Sequence, residues 1–319
     1  MNQINLQTPS ITEDHLDALL VQHGANYDVA TVPTPNPFGT EPTGFYTSYR
    51  TDTKKIFAQG LKQGWTPIQN REGMRILCEL SRVANVQLKS FFLFGGGREI
   101  VAQINLGTHD LANGDKIGNF ISMINGHDGG HSYSIFETPF RFWCQNMISR
   151  SVQQAVRSKS IVSIRHSASS KEKLEVLMRS IHIAQRDFKR SMEIYAKLLN
   201  THVNRALAYD IIDGLYPAVD KEQKRAYTIR THKLMDIYQR YNSGDQGRTP
   251  VETAWNLYNA IQGHIQHYGK NTESHQKSVL IGNDSNRAAK AMGFILGITA
   301  SQHLADALTI EEKTGIAIF

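Results

Sequence analysis

The residues best equipped for chemistry are the histidines and aspartate of His127-Asp128-Gly129-Gly130-His131. Imidazole and carboxylate both ligate divalent ions, so this run invites a metal site and, with it, a metal-dependent nuclease. Its spacing argues otherwise. On a turn the two histidines share no helical face, and no Cys, Glu or further His motif completes a ligand set. Asp-Gly instead supplies the positive backbone angles that a tight turn needs. We read the run as a polar hairpin turn, assign it no metal and no cofactor, and leave the role of Asp128 open. His264 and His267 are three apart on an expected helix and share a face, yet lack a third ligand, so they read as packing or surface residues. Gly95-Gly96-Gly97-Arg98 lacks both the Walker ending and the dinucleotide spacing, and it joins two apparent strands instead of opening a helix. It too reads as a hairpin turn, with the role of Gly96 open.

Nucleophilic catalysis needs a Ser or Cys activated by a base. Cys78 and Cys144 sit in apolar contexts, RILCEL and RFWCQN, and no Gly-x-Ser-x-Gly elbow occurs. No catalytic residue is assigned, and two isolated cysteines read as buried thiols of a reducing compartment. A different chemistry is suggested by the passage from Phe140 to Arg165. Arg141 lies between aromatics in FRFWCQN and is followed by Arg150, Arg157, Lys159 and Arg165, with Lys171 and Lys173 just beyond. Single-stranded nucleic acid is held by cations that track phosphates and by rings on which bases stack. The alternative is a core of Phe140, Phe142 and Trp143 with a solvated basic rim.

Charge distribution fits either a polyanionic partner or one solvated helix face. Residues 141–240 hold 19 Lys and Arg against 9 Asp and Glu, a net of +10, whereas the other 219 residues hold 16 against 20, a net of −4. A concentrated positive field attracts polyphosphate by releasing its counterions. No stretch approaches the ~20 apolar residues of a membrane span, and MNQINLQTPSITEDHL does not read as a secretory signal. The expectation is a cytoplasmic protein with no membrane partner.

The elements that must carry these residues follow from periodicity. ITEDHLDALLVQHG reads as a helix capped by Thr12 and stopped by Gly24, and TVPTPNPFGTEPTG as a loop or extended arm. FYTSYRTDTKKIFAQGL reads as two short strands around Thr51 to Lys54. REGMRILCELSRVA places Met74, Leu77, Cys78 and Leu80 at helical spacing. VQLKSFFLFGGGREIVAQINLG and KIGNFISMINGHDGGHSYSIFETPFRFWCQN read as two antiparallel hairpins. Then come a helical MISRSVQQAVRSK, a short strand in IVSIRHS, and a long helix capped by Ser169 or Ser170. Further helices are NRALAYDIIDGLYP, KRAYTIRTHKLMDIYQRYNSG, TPVETAWNLYNAIQGHIQHYG starting at Thr249-Pro250, and a small-residue-rich final one packed closely on the rest. The fold class is α+β, an antiparallel hairpin sheet in the middle of the chain packed against long helices, with a helical C-terminal third. Three regions are expected: an N-terminal helix and proline-rich arm (1–44), a β-rich core (45–168) and a helical region (169–319).

The order of QGWTPIQNREGMRILCEL, FFLFGGGREIVAQINLG, INGHDGGHS, PFRFWCQNMI, SIRHSASSKEKL and TAWNLYNAIQGHIQHYG resembles the large phage/plasmid-like protein family filed as a domain of unknown function. The resemblance covers roughly residues 45–275, and its most specific pieces are the glycine hairpin, the His-Asp-Gly turn, Arg-x-x-Cys-Gln-Asn and Arg-His-Ser. It implies a gene on a mobile element and brings no enzymatic activity with it. The shared motif positions are Arg141, Cys144, Gln145, Asn146, Arg165 and His166, which can grip phosphate and bases or form a buried polar network between sheet and helix. His166 can add charge below neutral pH. In outline the layout is also similar to Rad52-like single-strand annealing proteins, a fold-level analogy only. The expected function is single-stranded DNA binding that promotes annealing in recombination or replication, by a homo-oligomer. The competing expectation is a non-enzymatic protein that inhibits or redirects a host factor.

Overall fold

The computed structural model describes residues 13–84, 86, 88–111, 114–141, 146–147, 162–170, 172–174, 192–244 and 252–314. The chain divides into two compact units, one of residues 1–107, 119–137 and 159–186, the other of residues 108–118, 138–158 and 187–319. The fold is α+β, with two antiparallel sheets and a helical C-terminal region.

The first unit begins with α1 (Glu13–Gln22), which Gly24 ends at a φ of 66°. Leu16, Leu19 and Leu20 are buried with α2 (Asn70–Ala84), whose Met74, Leu77, Cys78 and Leu80 form the apolar stripe that the sequence predicts. At the start of α2 the Glu72 carboxylate accepts the Gln69 backbone N–H at 3.3 Å, one half of a capping box. The start of the stretch expected as a loop or arm belongs to an edge strand, β1 (Val29–Pro33), which joins β2 (Phe45–Arg50) and β3 (Ile56–Lys62) in a three-stranded sheet of order β1-β2-β3. Pro33 is tolerated there because β1 has a strand on one side only.

The larger sheet is built of β4 (Leu88–Phe94), β5 (Glu99–Asp110), β6 (Lys116–Gly126), β7 (Tyr133–Arg141) and β8 (Asn146–Met147) in that order, with β9 (Val162–Ile164) pairing β7. Both expected hairpin turns are present. Gly95, Gly96 and Gly97 take φ of 60°, 68° and 104° in succession, angles that side chains bearing a Cβ rarely adopt. A Cβ on Gly97 would also lie 2.4 Å from the Tyr27 hydroxyl, so this hairpin is glycine-built for approach as well as for angle. At the second turn Gly129 has φ 76° and the Asp128 carboxylate accepts the Gly130 N–H at 2.8 Å, as an Asx turn does.

The second unit is helical: residues 192–200, α3 (Arg205–Gly214), α4 (Lys224–Ser243), α5 (Ala254–His267), α6 (Glu273–Ile281) and α7 (Asn283–Thr314). Asn204, Thr253 and Thr272 cap α3, α5 and α6, each side-chain oxygen accepting a backbone N–H three residues on at 3.0–3.2 Å. α5 therefore starts after Thr253, whose hydroxyl supplies the cap; Thr249-Pro250, the start expected from the sequence, lies outside the described residues. Residues Ala254 to Ile265 of α5 are buried almost all round, which makes it the central helix of this unit. The small-residue final helix packs through one face only. Ala288, Ala291, Met292 and Ile295 of α7 are buried, yet a Cβ on Gly293 or Gly297 would meet nothing within 4 Å.

Candidate functional site

Two buried histidines organise the first unit. His127 is fully buried; its backbone N–H donates to Arg98 O at 2.8 Å and its carbonyl accepts the Ser48 hydroxyl at 2.7 Å. Asn70, at the start of α2, donates through its amide nitrogen to Ala25 O at 2.9 Å. Its amide oxygen is thus the acceptor that faces His127 Nε2 at 2.7 Å, so His127 carries its proton on Nε2 and presents a bare Nδ1. His166 carries the same tautomer but is held at its other ring nitrogen. Its Nδ1 accepts the Ile68 N–H at 3.1 Å, which puts the proton on Nε2. Asn125 Nδ2 donates to Ile68 O at 2.9 Å, so both backbone groups of Ile68 are held by motif side chains.

These histidines are neutral. Burial takes His127 down to about 3, with His166 acting in the same direction, and takes His166 down to about 4 against the raising influence of the His131 backbone and the Asp128 carboxylate. His166 offers a metal no lone pair, since its Nδ1 is engaged as an acceptor and its Nε2 carries the proton, which leaves Nδ1 of His127 as the one bare ring nitrogen of the pair. His131 is drawn elsewhere, its Nε2 lying 3.4 Å from the buried Glu99 carboxylate. Among the described residues no group of three or more His, Cys, Asp and Glu is placed to hold a metal ion. Phe57 stacks on His127 and Trp65 on His166, with ring centroids 6.0 and 5.2 Å apart.

Around the glycine hairpin the same unit carries cations set against rings. The Arg50 guanidinium lies 3.9 Å from the centroid of Tyr27, donates to Gly96 O at 3.2 Å and pairs with Asp52 at 2.7 Å. Hydrogen bonding to Arg50 takes Asp52 down to about 2, and burial pushes Tyr27 up to about 12, so both keep their ordinary charge at neutral pH. The Tyr27 hydroxyl donates to Gly97 O at 2.5 Å. Lys54 Nζ stands 5.6 Å from the centroid of Tyr49, and Lys55 Nζ covers Gly96 so closely that a Cβ there would be 2.3 Å from it. Arg98 reaches Asp128 at 3.5 Å, linking one turn to the other.

Gly96, Asp128 and His166 of the sequence-derived residues are therefore brought into this one unit. Gly96 is a contact for Arg50 and Lys55, Asp128 is an ion-pair partner and turn former, and His166 is a buried neutral scaffold residue, which leaves no room for the charge expected of it below neutral pH until about pH 4. Arg165, beside it, and Lys173 are exposed. Arg141 and Asn146 are partners across the β7 and β8 pairing. Gln145, Arg150, Arg157, Lys159 and Lys171 lie outside the described residues. Sequence reasoning missed Arg50, Lys54 and Lys55, although FYTSYRTDTKK has the same alternation of rings and cations that drew attention to residues 140–165.

The second unit holds a histidine of another kind. His264 is buried and its Nδ1 lies 2.8 Å from the Asp236 carboxylate, which Arg240 also contacts at 2.8 Å, whereas His267 is exposed. Burial lowers the pKa of His264 while Asp236 opposes it.

No helix of the described residues is long and apolar enough to cross a membrane. Compared with known families, residues 60–292 match the model of a domain of unknown function, DUF932. No curated protein and no solved structure matches the chain.

Proposed function

The chain belongs to the DUF932 family, and on that premise we propose that it is a DNA-binding protein of a phage or plasmid, acting in the cytoplasm, that engages single strands and promotes their annealing in recombination or replication as an oligomer. The observation that supports this reading best is the rim of the glycine hairpin. Lys54 and Lys55 stand there side by side, one against the Tyr49 ring and one against the bare backbone of Gly96, while Arg50, paired with Asp52, holds Tyr27 and the hairpin beneath them. Cations beside rings are the two ingredients of single-strand recognition. Glycine adds a third, since a backbone without Cβ lets phosphate or lysine approach closely. The exposed Arg165 and the net +10 of residues 141–240 add positive field. The neutral histidines take no direct part; they hold the two turns in place.

The test is a fluorescence-anisotropy titration against single- and double-stranded DNA of one sequence at several salt concentrations. Each phosphate contact on a single strand contributes about −0.7 to the log–log salt slope. Lys54→Ala with Lys55→Ala should therefore flatten the slope by about 1.4 and weaken single-strand binding about tenfold while the fold survives. Unchanged affinity in the folded double variant removes this rim from the site. Absence of DNA binding by the wild type at low salt overturns the reading and favours a host protein as the partner of the basic surface.

A further inference from the structure

We infer that the helical unit carries a second single-strand contact of its own, formed by Lys233, Lys290 and Phe294 around the end of α3. The inference rests on the DNA-binding reading above and deepens it. Arg287, Lys290 and Phe294 are spaced three and four apart on α7 and so share one face. Lys290 Nζ lies 5.6 Å from the centroid of Phe294 and donates to Gly214 O at 3.3 Å, which ties it to the end of α3. Two residues further along, Tyr216 carries the Arg287 guanidinium at 4.8 Å from its ring and Lys233 of α4 at 5.9 Å. Arg287 is largely neutralised by Asp284 at 2.6 Å, so Lys233 and Lys290 are the groups with charge to offer a phosphate.

Phe294 supplies the other ingredient. It is 45% exposed. Its helix neighbours Gly293 and Gly297 are exposed too, with open space where a Cβ would stand. Two glycines inside an exposed helix weaken it relative to alanine, and what they leave is open space beside the ring, against which a flat nucleobase can lie. A duplex cannot use such a ring without unstacking, so the class of ligand is an unpaired strand.

The experiment is the same titration, on the full chain, with Lys233→Ala plus Lys290→Ala, with Phe294→Leu and with Phe294→Trp, each checked for folding by circular dichroism. The lysine pair should flatten the salt slope by about 1.4. Phe294→Leu, which keeps apolar bulk without a ring, should weaken binding at least about fivefold, and Phe294→Trp should retain or tighten it. A bromodeoxyuridine oligonucleotide irradiated on the wild type should cross-link within α7. If these folded variants bind as the wild type does while the Lys54 and Lys55 variant does not, the second contact is overturned and the hairpin rim stands. If the reverse holds, the second contact stands alone. If the wild type binds no oligonucleotide at low salt, both fall together.

Discussion

The two units bury histidine in opposite ways. His127 and His166 are held by an amide oxygen and a backbone N–H, whereas His264 is held by a carboxylate that an arginine shares. Burial disfavours the imidazolium in every case. Only at His264 does a full negative charge sit within hydrogen-bond distance to oppose it. The first arrangement makes rigid neutral struts that tie turns to a helix start and a strand end. The second is a hydrogen-bonded joint between α4 and α5, an imidazole resting on a carboxylate that an arginine of α4 also pairs. Both scaffolds sit beneath cations paired with rings, so the comparison separates what holds each candidate surface from what the surface offers a ligand.

The largest expected effect breaks the first unit's strut. His127→Ala removes a fully buried ring against Phe57 and strands the Asn70 amide oxygen. A cavity plus an unsatisfied buried acceptor should cost roughly 3 to 5 kcal/mol. His264→Ala should cost less, about 2 kcal/mol, because Arg240 remains to satisfy Asp236. Urea unfolding followed by fluorescence checks both in a Trp143→Phe background, with Trp65 beside His166 reporting on one unit and Trp255 in the core of the other. Equal losses would erase the distinction between strut and joint.

Acid sharpens the same contrast. A histidine depressed from 6.5 to about 4 or 3 in the fold binds its proton sooner in the unfolded chain. The stability it contributes is thus complete above pH 6.5 and falls as pH drops from there towards 4. Each pH unit of depression is about 1.4 kcal/mol, so the pair can remove several kcal/mol from the first unit across that window. The Trp65 signal should lose stability between pH 6.5 and 4 ahead of the Trp255 signal, and His166→Phe should reduce the slope. Parallel loss by both probes would show that the struts are not what acid attacks.

Glycine at the hairpin is the next test. Gly97→Ala imposes φ of 104° on a residue with Cβ and drives that Cβ onto the Tyr27 hydroxyl. It should cost about 2 kcal/mol and displace Arg50 from the Tyr27 ring, weakening DNA binding along with stability. Gly293→Ala in the second unit, where space is open and the helix is ordinary, should instead stabilise by about 1 kcal/mol.

How far the sequence reached is seen at these same residues. Glycines, the Asp-Gly turn and the apolar stripe of α2 were legible because local backbone rules decide them. The strand at Val29–Pro33 was hidden, since its Pro33 and the three prolines that follow read as a breaker, while the hydrogen bonds that make it a strand come from β2, more than a dozen residues on. The histidine struts were equally hidden. His127 and His166 pair with Asn70 and Ile68, partners 57 and 98 positions away, and nothing local distinguishes a scaffold imidazole from a ligand. The hairpin rim is legible in principle, since rings and cations stand together within FYTSYRTDTKK, but its charge excess is small beside the net +10 of residues 141–240.

The smallest expected effect confines itself to the joint's side of the comparison. Thr253 caps α5, the helix that brings His264 to Asp236, and its hydroxyl accepts the Asn256 N–H at 3.2 Å. Thr253→Ala leaves one orphan donor at the helix start and should cost about 1 kcal/mol. Thr253→Asn, which restores the acceptor, should recover most of it. Because the cap touches only the second unit, the loss should be read by Trp255 and not by Trp65, and single-strand affinity through the hairpin rim should not change. A shift at Trp65 of the same size would mean that the two units unfold as one cooperative system, and each effect above would then have to be read from the whole chain and not from the unit that contains it.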